Sequence, residues 1–523
     1  MSLLHCGVGT FRGIVPLKVS YFLCAFDPGR ARQRAGVFGF GNALIRFTRC
    51  RFVPGPFADV QAVAGKRIVL MLRQKVRIRQ KPALNSPNRR AAVAISGQCC
   101  CLITMADAYP PFSALLRVFG RIGLLSFGGP AAQIALMHRE LVEEHGWLSE
   151  EQFLRALSFC MLLPGPEAMQ LATYAGWRLR GTPGGLIAGL LFVLPGAFVV
   201  LGLAMAYGAY GKLPLVQALF LGVKATVVII VIEALLKVSK RALHGPARWA
   251  IAGLSFLCIF ALGLPFPLII ALAALYGFVT AGGTAPARAA PQGRPRTLRT
   301  IAIWGSLWLA PVAALQLFWP GLLAQLAMFF SKLAVVTFGG AYAVLAYMTQ
   351  AVVGEFGWLT TPEMMDGLGL AETTPGPLIL VTEFVGYLAA FKAGGAAMGI
   401  AGAALVLWVT FTPCFLWIFT GAPYIDRLAG LPRLSAALAC VTAAVVGVIL
   451  NLSLWFAAHV FFGEVGIWRS GPLRLIAPDP ATLDPLAVGL AALAAVMLLW
   501  RHWPLPAVLG AMAALGAVVS AVF

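Results

Sequence analysis

Beyond residue 110 the chain is written as long apolar runs separated by short turns rich in Gly, Pro or charge. Residues 186–207 and 213–236 each hold about 20 or more residues with few charges, the length a helix needs to cross roughly 30 Å of hydrocarbon. Similar runs cover about 115–137, 152–177 and 301–320, and a shorter pair at about 249–280 is broken at Pro265-Phe266-Pro267. The pattern predicts an all-α polytopic membrane protein with about thirteen transmembrane helices, six in the first half and seven after it. Composition agrees: 60% of residues are hydrophobic and 11% charged, against roughly 25% charged in a soluble domain. So few polar side chains cannot solvate the surface of a soluble fold.

The apolar pattern repeats. Phe127-Gly128-Gly129 recurs as Phe338-Gly339-Gly340, an offset of 338 − 127 = 211. Gly146-Trp147-Leu148 returns at the same offset as Gly357-Trp358-Leu359, and Pro164-Gly165-Pro166 as Pro375-Gly376-Pro377. With one residue deleted, Gly176 aligns with Gly386, and Gly185 and Gly189 with Gly395 and Gly399. Motifs in nearly one register over about 60 residues mark a duplication.

Charge on the connecting loops gives the orientation of each copy, because Lys and Arg flanking membrane helices favour the cytoplasm. Arg117 and Arg121 start the first segment inside; the next loop has one Arg against five glutamates and is expected outside. Arg178 and Arg180 fall inside, Lys212 outside, and Lys237, Lys240 and Arg241 inside. The segment at about 301–320 has no counterpart in the first copy and adds one crossing, so the second copy is inverted. Arg427, Arg433 and Arg501 then lie inside. The expected domains are an N-terminal repeat at 105–280, a basic cytoplasmic linker at 281–300, and a C-terminal repeat with an extra leading helix at 301–523. Inverted repeats of this kind carry the substrate near the bilayer midplane in secondary transporters.

Residues 1–104 stand apart. They carry 16 Lys/Arg and two acids, 16 − 2 = +14 of the chain's net +21, and no apolar run of spanning length. They hold six of the ten cysteines, and no metal-spaced pair or disulfide framework is apparent. We expect upstream sequence preceding a start at Met105, with a disordered basic tail drawn to anionic lipid, or a small regulatory or nucleic-acid-binding module, as alternatives. The charge is concentrated there rather than spread over the chain, so no nucleic-acid partner is expected for the membrane portion.

Two Pro-Gly-Pro motifs lie in the middle of apolar segments: Leu163-Pro164-Gly165-Pro166-Glu167 and Glu372-Thr373-Thr374-Pro375-Gly376-Pro377. Neither can continue an α-helix, since each proline removes an N–H and clashes with the preceding turn. Each segment is expected as two half-helices, with Pro166 and Pro377 at the first position of the second. Bare N–H groups just beyond would then form an anion site inside the membrane. The alternative is a packing kink satisfied by neighbours. The Phe-Gly-Gly motifs likewise serve close helix packing or backbone contact with a ligand.

Ionisable groups at depth point to function by default. Arg121 and Lys332 are related by the 211 offset, which suits a substrate counter-ion; snorkelling to the interface is the alternative. Lys224, nine residues before Glu233, could attract an anion or pair with a carboxylate on another helix. Glu167, Glu372 and Glu383 surround the breaks, where a carboxylate either titrates with a proton or caps a half-helix.

The paired motifs Ser126-Phe127-Gly128-Gly129-Pro130 and Thr337-Phe338-Gly339-Gly340, with the two Pro-Gly-Pro motifs, resemble the chromate ion transporter family in its two-domain form. The resemblance covers about 112–456 well, the last helices loosely, and 1–104 not at all. It implies chromate efflux across a bacterial inner membrane, driven by membrane potential or an ion gradient, with sulfate as competitor or counter-substrate. Both anions are tetrahedral and doubly charged. The expected substrate-facing set is Arg121, Phe127, Gly128, Gly129, Pro164, Gly165, Pro166, Glu167, Lys224, Lys332, Phe338, Gly339, Gly340, Glu372, Thr373, Thr374, Pro375, Gly376 and Pro377. No metal or cofactor is expected; lipid, a coupling ion and a second copy are candidate partners. The rivals are a sulfate or other oxyanion carrier, a membrane enzyme on a lipid-linked or phosphate substrate, and a structural assembly subunit. The enzyme lacks a nucleophile–base set at depth, and an assembly subunit would not need duplicated broken helices with embedded charge.

Overall fold

The computed structural model describes five short strands before residue 105, and then residues 110–282, 297–338, 341–425, 431–471 and 473–522. The chain divides into two compact units, Met1–Ala108 and Tyr109–Phe523. In the first, β1 (Val37–Phe40) pairs antiparallel with β2 (Ala43–Arg46), and β2 with β4 (Ile78–Gln80). Strands β3 (Val69–Gln74) and β5 (Cys99–Thr104) form a separate antiparallel pair. Most of the 1–104 extension lies outside the described residues.

The second unit is built of helices. The first copy runs α1 (Phe112–Leu125), α2 (Gly129–His138), α3 (Glu150–Cys160), α4 (Glu167–Tyr210), α5 (Pro214–Ala242), α6 (Pro246–Phe260) and α7 (Phe266–Thr280). Then come α8 (Thr297–Phe318), the added helix, and α9 (Leu322–Val336), α10 (Ala341–Thr349), α11 (Thr361–Thr373), α12 (Val381–Gly421) and α13 (Pro432–Phe461). A hairpin of β6 (Val465–Ser470) and β7 (Leu473–Pro478) precedes α14 (Pro485–Ala495) and α15 (Leu505–Val522). This hairpin was not expected; the Arg474 N–H donates to the Ala261 carbonyl at 2.8 Å, seating it over the α6–α7 turn. Among the described residues, six helical stretches are long and apolar enough to cross a membrane, and four more are apolar but shorter.

The duplication extends to backbone detail. A π-helical turn follows α2 at Arg139–Glu144 and another follows α10 at Gln350–Glu355, again at the repeat offset (350 − 139 = 211). At the same offset, α3 starts with the capping box Ser149/Gln152 and α11 with Thr360/Glu363. Each box satisfies orphan N–H groups at a helix start, so both copies begin this element by the same means.

Three expectations need correction. The run at 115–137 is not one helix: it breaks between α1 and α2, where Gly128 and Gly129 have φ of +83° and +78°. Pro166 and Pro377 sit one residue earlier than expected, as extended N-caps rather than first helical residues. The register after the Pro-Gly-Pro turns is also different. Helix α4 reverses at Arg180–Gly181 and α12 at Gly394–Gly395, so each is a tight hairpin of two arms. The offset between these equivalent turns is 395 − 181 = 214, not 210. In the second copy a 3-10 turn at Leu378–Leu380 precedes the arm and lengthens it. Gly185 then corresponds to Gly399: an added Cβ on Gly185 would meet the Thr173 carbonyl at 3.0 Å, and one on Gly399 the Tyr387 ring at 2.8 Å. Packing of the two arms decides this register, and small residues let them approach.

Candidate functional site

The two Pro-Gly-Pro turns break their segments as the sequence requires. Helix α3 ends at Cys160 and α4 begins at Glu167; α11 ends at Thr373 and the next turn begins at Leu378. Neither Pro166 nor Pro377 caps the following helix with a side chain. The first N–H groups of α4 and of the Leu378 turn therefore have no side-chain cap, and carry the partial positive charge of a helix start.

Each break is completed by the other half. The Gly165 N–H donates to the Thr337 carbonyl at 2.8 Å, and the Gly376 N–H to the Ser126 carbonyl at 2.8 Å. Donors and acceptors are both related by the repeat offset (376 − 165 and 337 − 126 each equal 211), so this is one contact made twice. Such reciprocity is what a two-fold relation between halves produces. Ser126 and Thr337, 1% and 4% exposed, also turn their hydroxyls back onto the Ile122 and Leu333 carbonyls. These bonds end α1 and α9 and leave the acceptor carbonyls facing across.

Two buried glutamines, unremarked in the sequence, hold the breaks further. Gln133 donates from Nε2 to the Gly376 carbonyl at 2.7 Å, and Gln170 to the Pro164 carbonyl at 2.6 Å. Backbone without helical partners is tolerated at membrane depth only when it is paired in this way or lines a cavity.

A cavity of about 670 Å³ does adjoin the first break. Gly128, Gly129, Leu162 and Glu167 line it from the first break, and Tyr342 and Glu372 from the second half. It extends to Lys237, Arg241 and Arg248 at the ends of α5 and α6. Lys237 is 65% exposed and pairs with Glu233, one helical turn back, at 2.6 Å. Lys237 and Arg241 were read from the sequence only as loop flanks, and Arg248 was not singled out, though their spacing along α5 and α6 already put the three near one helix end. The space suits a small anion: the uncapped start of α4 and the side chains of Lys237, Arg241 and Arg248 attract negative charge.

The other expected residues are distributed as follows. Phe127 is 37% exposed and does not line the cavity. Phe338 is half-buried, next to the Thr337 whose carbonyl meets the first break, and Gly339 and Gly340 lie outside the described residues. Thr373 and Thr374 bond the Leu370 and Ala371 carbonyls and close the end of α11. Lys224 is paired with Asp366 on α11, at 3.2 Å, the second of its two sequence-based readings. Arg121 and Lys332 do not meet at the breaks. Arg121 lies 3.2 Å from the fully buried Glu140 and 3.7 Å from Glu144, and Lys332 is exposed on α9. Glu383 is 1% exposed, with Oε2 unpaired among the described residues.

A helical, multi-pass membrane protein with paired broken helices beside a charged cavity is a transporter in class. Comparison with known proteins gives the particular one: the chain belongs to the chromate transporter family, whose model, described as "Chromate transporter", matches residues 113–278 and 324–517. Among curated relatives, the "Probable chromate transport protein" of Synechococcus elongatus is 30% identical over 407 residues, 75% of this chain and 98% of that protein. The "Chromate transport protein" of Pseudomonas aeruginosa is 33% identical over 361 residues, 66% of this chain and 81% of its own. That of Cupriavidus metallidurans is 32% identical over 341 residues, covering 64% and 80%. No solved structure matches the chain.

Proposed function

We propose that this protein is a secondary active transporter that exports chromate across the bacterial inner membrane, by alternating access between two halves of opposite orientation. The reciprocal pair of hydrogen bonds, Gly165 to Thr337 and Gly376 to Ser126, carries the reading. It joins the halves at their broken helices, where inverted repeats hold substrate. The cavity's cations, Lys237, Arg241 and Arg248, sit at the end that loop charge assigns to the cytoplasm. An opening on that side receives substrate from inside, which supports export from an inward-facing state. The Lys224–Asp366 pair then closes the opposite side.

The test is chromate uptake by energised inverted vesicles carrying the protein, with sulfate added as competitor. Export predicts uptake above that of vesicles lacking the protein, inhibited by sulfate and abolished when the membrane potential is collapsed. Uptake of sulfate without chromate would make the protein a sulfate carrier. Uptake of neither would refute oxyanion transport.

A further inference from the structure

Three carboxylates line the cavity of what we read as an anion carrier: Glu167, Glu233 and Glu372. Glu233 is matched by Lys237 at 2.6 Å. Glu167 is the first residue of α4, where the helix start favours negative charge. Glu372 has neither support. It lies in the last turn of α11, against the negative end of that helix's dipole, and is 7% exposed. Among the described residues it makes no ion pair; its side-chain bond is from the Tyr342 hydroxyl, which donates to Oε1 at 2.9 Å. A dianion entering this space would add two negative charges to a lining of three cations and three acids.

Resting on the transport reading, we propose that Glu372 is a proton-binding site linked to the oxyanion: it takes up one proton as the dianion binds and releases it as the dianion leaves. The proton is given up by a buffer acid or hydronium in the surrounding solution and relayed through cavity water; an O–H bond of that donor breaks as one forms on the Glu372 carboxylate, and Tyr342 keeps its own proton. Repulsion between the carboxylate and the dianion makes each binding event favour the other, and the linkage is reciprocal. The loaded protein then carries a net change of −1 rather than −2, a smaller charge to move through low dielectric. An inside-negative potential drives that charge outward.

The charged and titratable groups facing Glu372 around the cavity are Tyr342 on α10, Glu233, Lys237 and Arg241 on α5, Glu167 on α4, Arg248 on α6, and His502 before α15. His502 brings a second proton-binding side chain to the cavity, so it needs its own control.

The experiment is calorimetric titration of the purified full-length protein with sulfate, and with chromate at about pH 7.5 to 9 where it is a dianion, in buffers of different ionisation heats. Wild-type protein should take up about one proton per dianion and lose about tenfold in affinity per pH unit on the alkaline side. Glu372→Gln should bind with no proton uptake and no pH dependence. Tyr342→Phe removes the donor to the carboxylate, so half-maximal proton uptake should move to higher pH. His502→Gln should still take up about one proton per dianion, whatever it does to affinity. Proton uptake retained in Glu372→Gln, or lost in His502→Gln, would overturn the assignment. If Glu372→Gln does not fold, an unshifted Tyr342→Phe curve overturns it. Binding in the wild type without proton uptake would remove the proton site and leave the carrier; no binding of either oxyanion at any pH would remove both.

Discussion

Lys224 on α5 lies 3.2 Å from the Asp366 carboxylate on α11, and the Tyr207 hydroxyl donates to the other oxygen of that carboxylate at 2.7 Å. Three elements from two halves meet at one buried charge pair. Lys224→Met would leave Asp366, 7% exposed, without its cation, and should destabilise the fold by roughly 3 kcal/mol. Adding Asp366→Asn should recover most of the loss, since breaking a buried pair costs more than replacing it. Thermal denaturation of the two single variants and the double variant measures the coupling. A double variant no more stable than Lys224→Met would contradict it.

Gly165 has φ of +121°, and a Cβ there would lie 2.8 Å from the Gln170 amide and 2.9 Å from the Cys414 sulfur. Gly165→Ala should cost about 1–3 kcal/mol in backbone strain alone and displace the turn that bonds Thr337. Gly196→Ala, on α4 in the same half, acts on the second turn: its Cβ would strike the Pro375 carbonyl, which backbone cannot easily yield. Both variants should lose chromate transport by roughly tenfold, the effect of raising the barrier by about 1.4 kcal/mol. Normal transport rates in both would mean the turns are not at the pathway.

The cavity cations and the pair expected from the sequence make different predictions. Arg241→Gln removes charge from the cavity and should raise the KM for chromate roughly tenfold, with a weaker dependence on salt. Arg121→Gln strips a cation from the fully buried Glu140, so its main effect should be lower stability. Lys332→Gln, on the exposed face of α9, should change neither. A large KM effect from Lys332→Gln with none from Arg241→Gln would restore the counter-ion role expected from the repeat.

His138, at the loop end of α2, bonds Glu150 at 2.7 Å and lies 3.1 Å from Glu143. The hydrogen bond with Glu150 holds its imidazole above the usual range, and Glu143 adds to this. A raised value means the protonated form is favoured in the fold. The stabilisation is complete below the ordinary value near about 6.5 and is lost as pH rises through the raised value. Hydrogen exchange in the 139–149 loop should therefore quicken as pH climbs past neutrality, after correction for intrinsic rates. His138→Gln should remove that extra pH dependence; an unchanged profile would refute the role of this cluster.

The broken helices were legible because proline and glycine restrict backbone in ways no context removes. The Phe-Gly-Gly breaks were half legible: Gly128 and Gly129 stood out, but the apolar run continues through them and hides the loss of helix. The turn at Arg180–Gly181 was legible as the charged gap between the runs at 152–177 and 186–207, but its correspondence to the turn at Gly394–Gly395 was not. Their register depends on Thr173 and Tyr387 meeting Gly185 and Gly399 across two arms, which spacing alone does not reveal. Lys224 could be assigned a role but not a partner, since Asp366 lies far along the chain, in the other half. Lys237 and Arg241 carried a topological signal strong enough to mask a second use.

The exchanged amide bonds at the breaks have a consequence for synthesis. Thr337 follows Gly165 by 337 − 165 = 172 positions. At a translation rate of about 5–20 residues per second, that separation takes roughly 9 to 34 s to make. Throughout that interval the first turn waits with its hydrogen-bonding partner still unmade. Until the ribosome reaches the second copy, water, lipid headgroups or an insertion chaperone must stand in for Thr337.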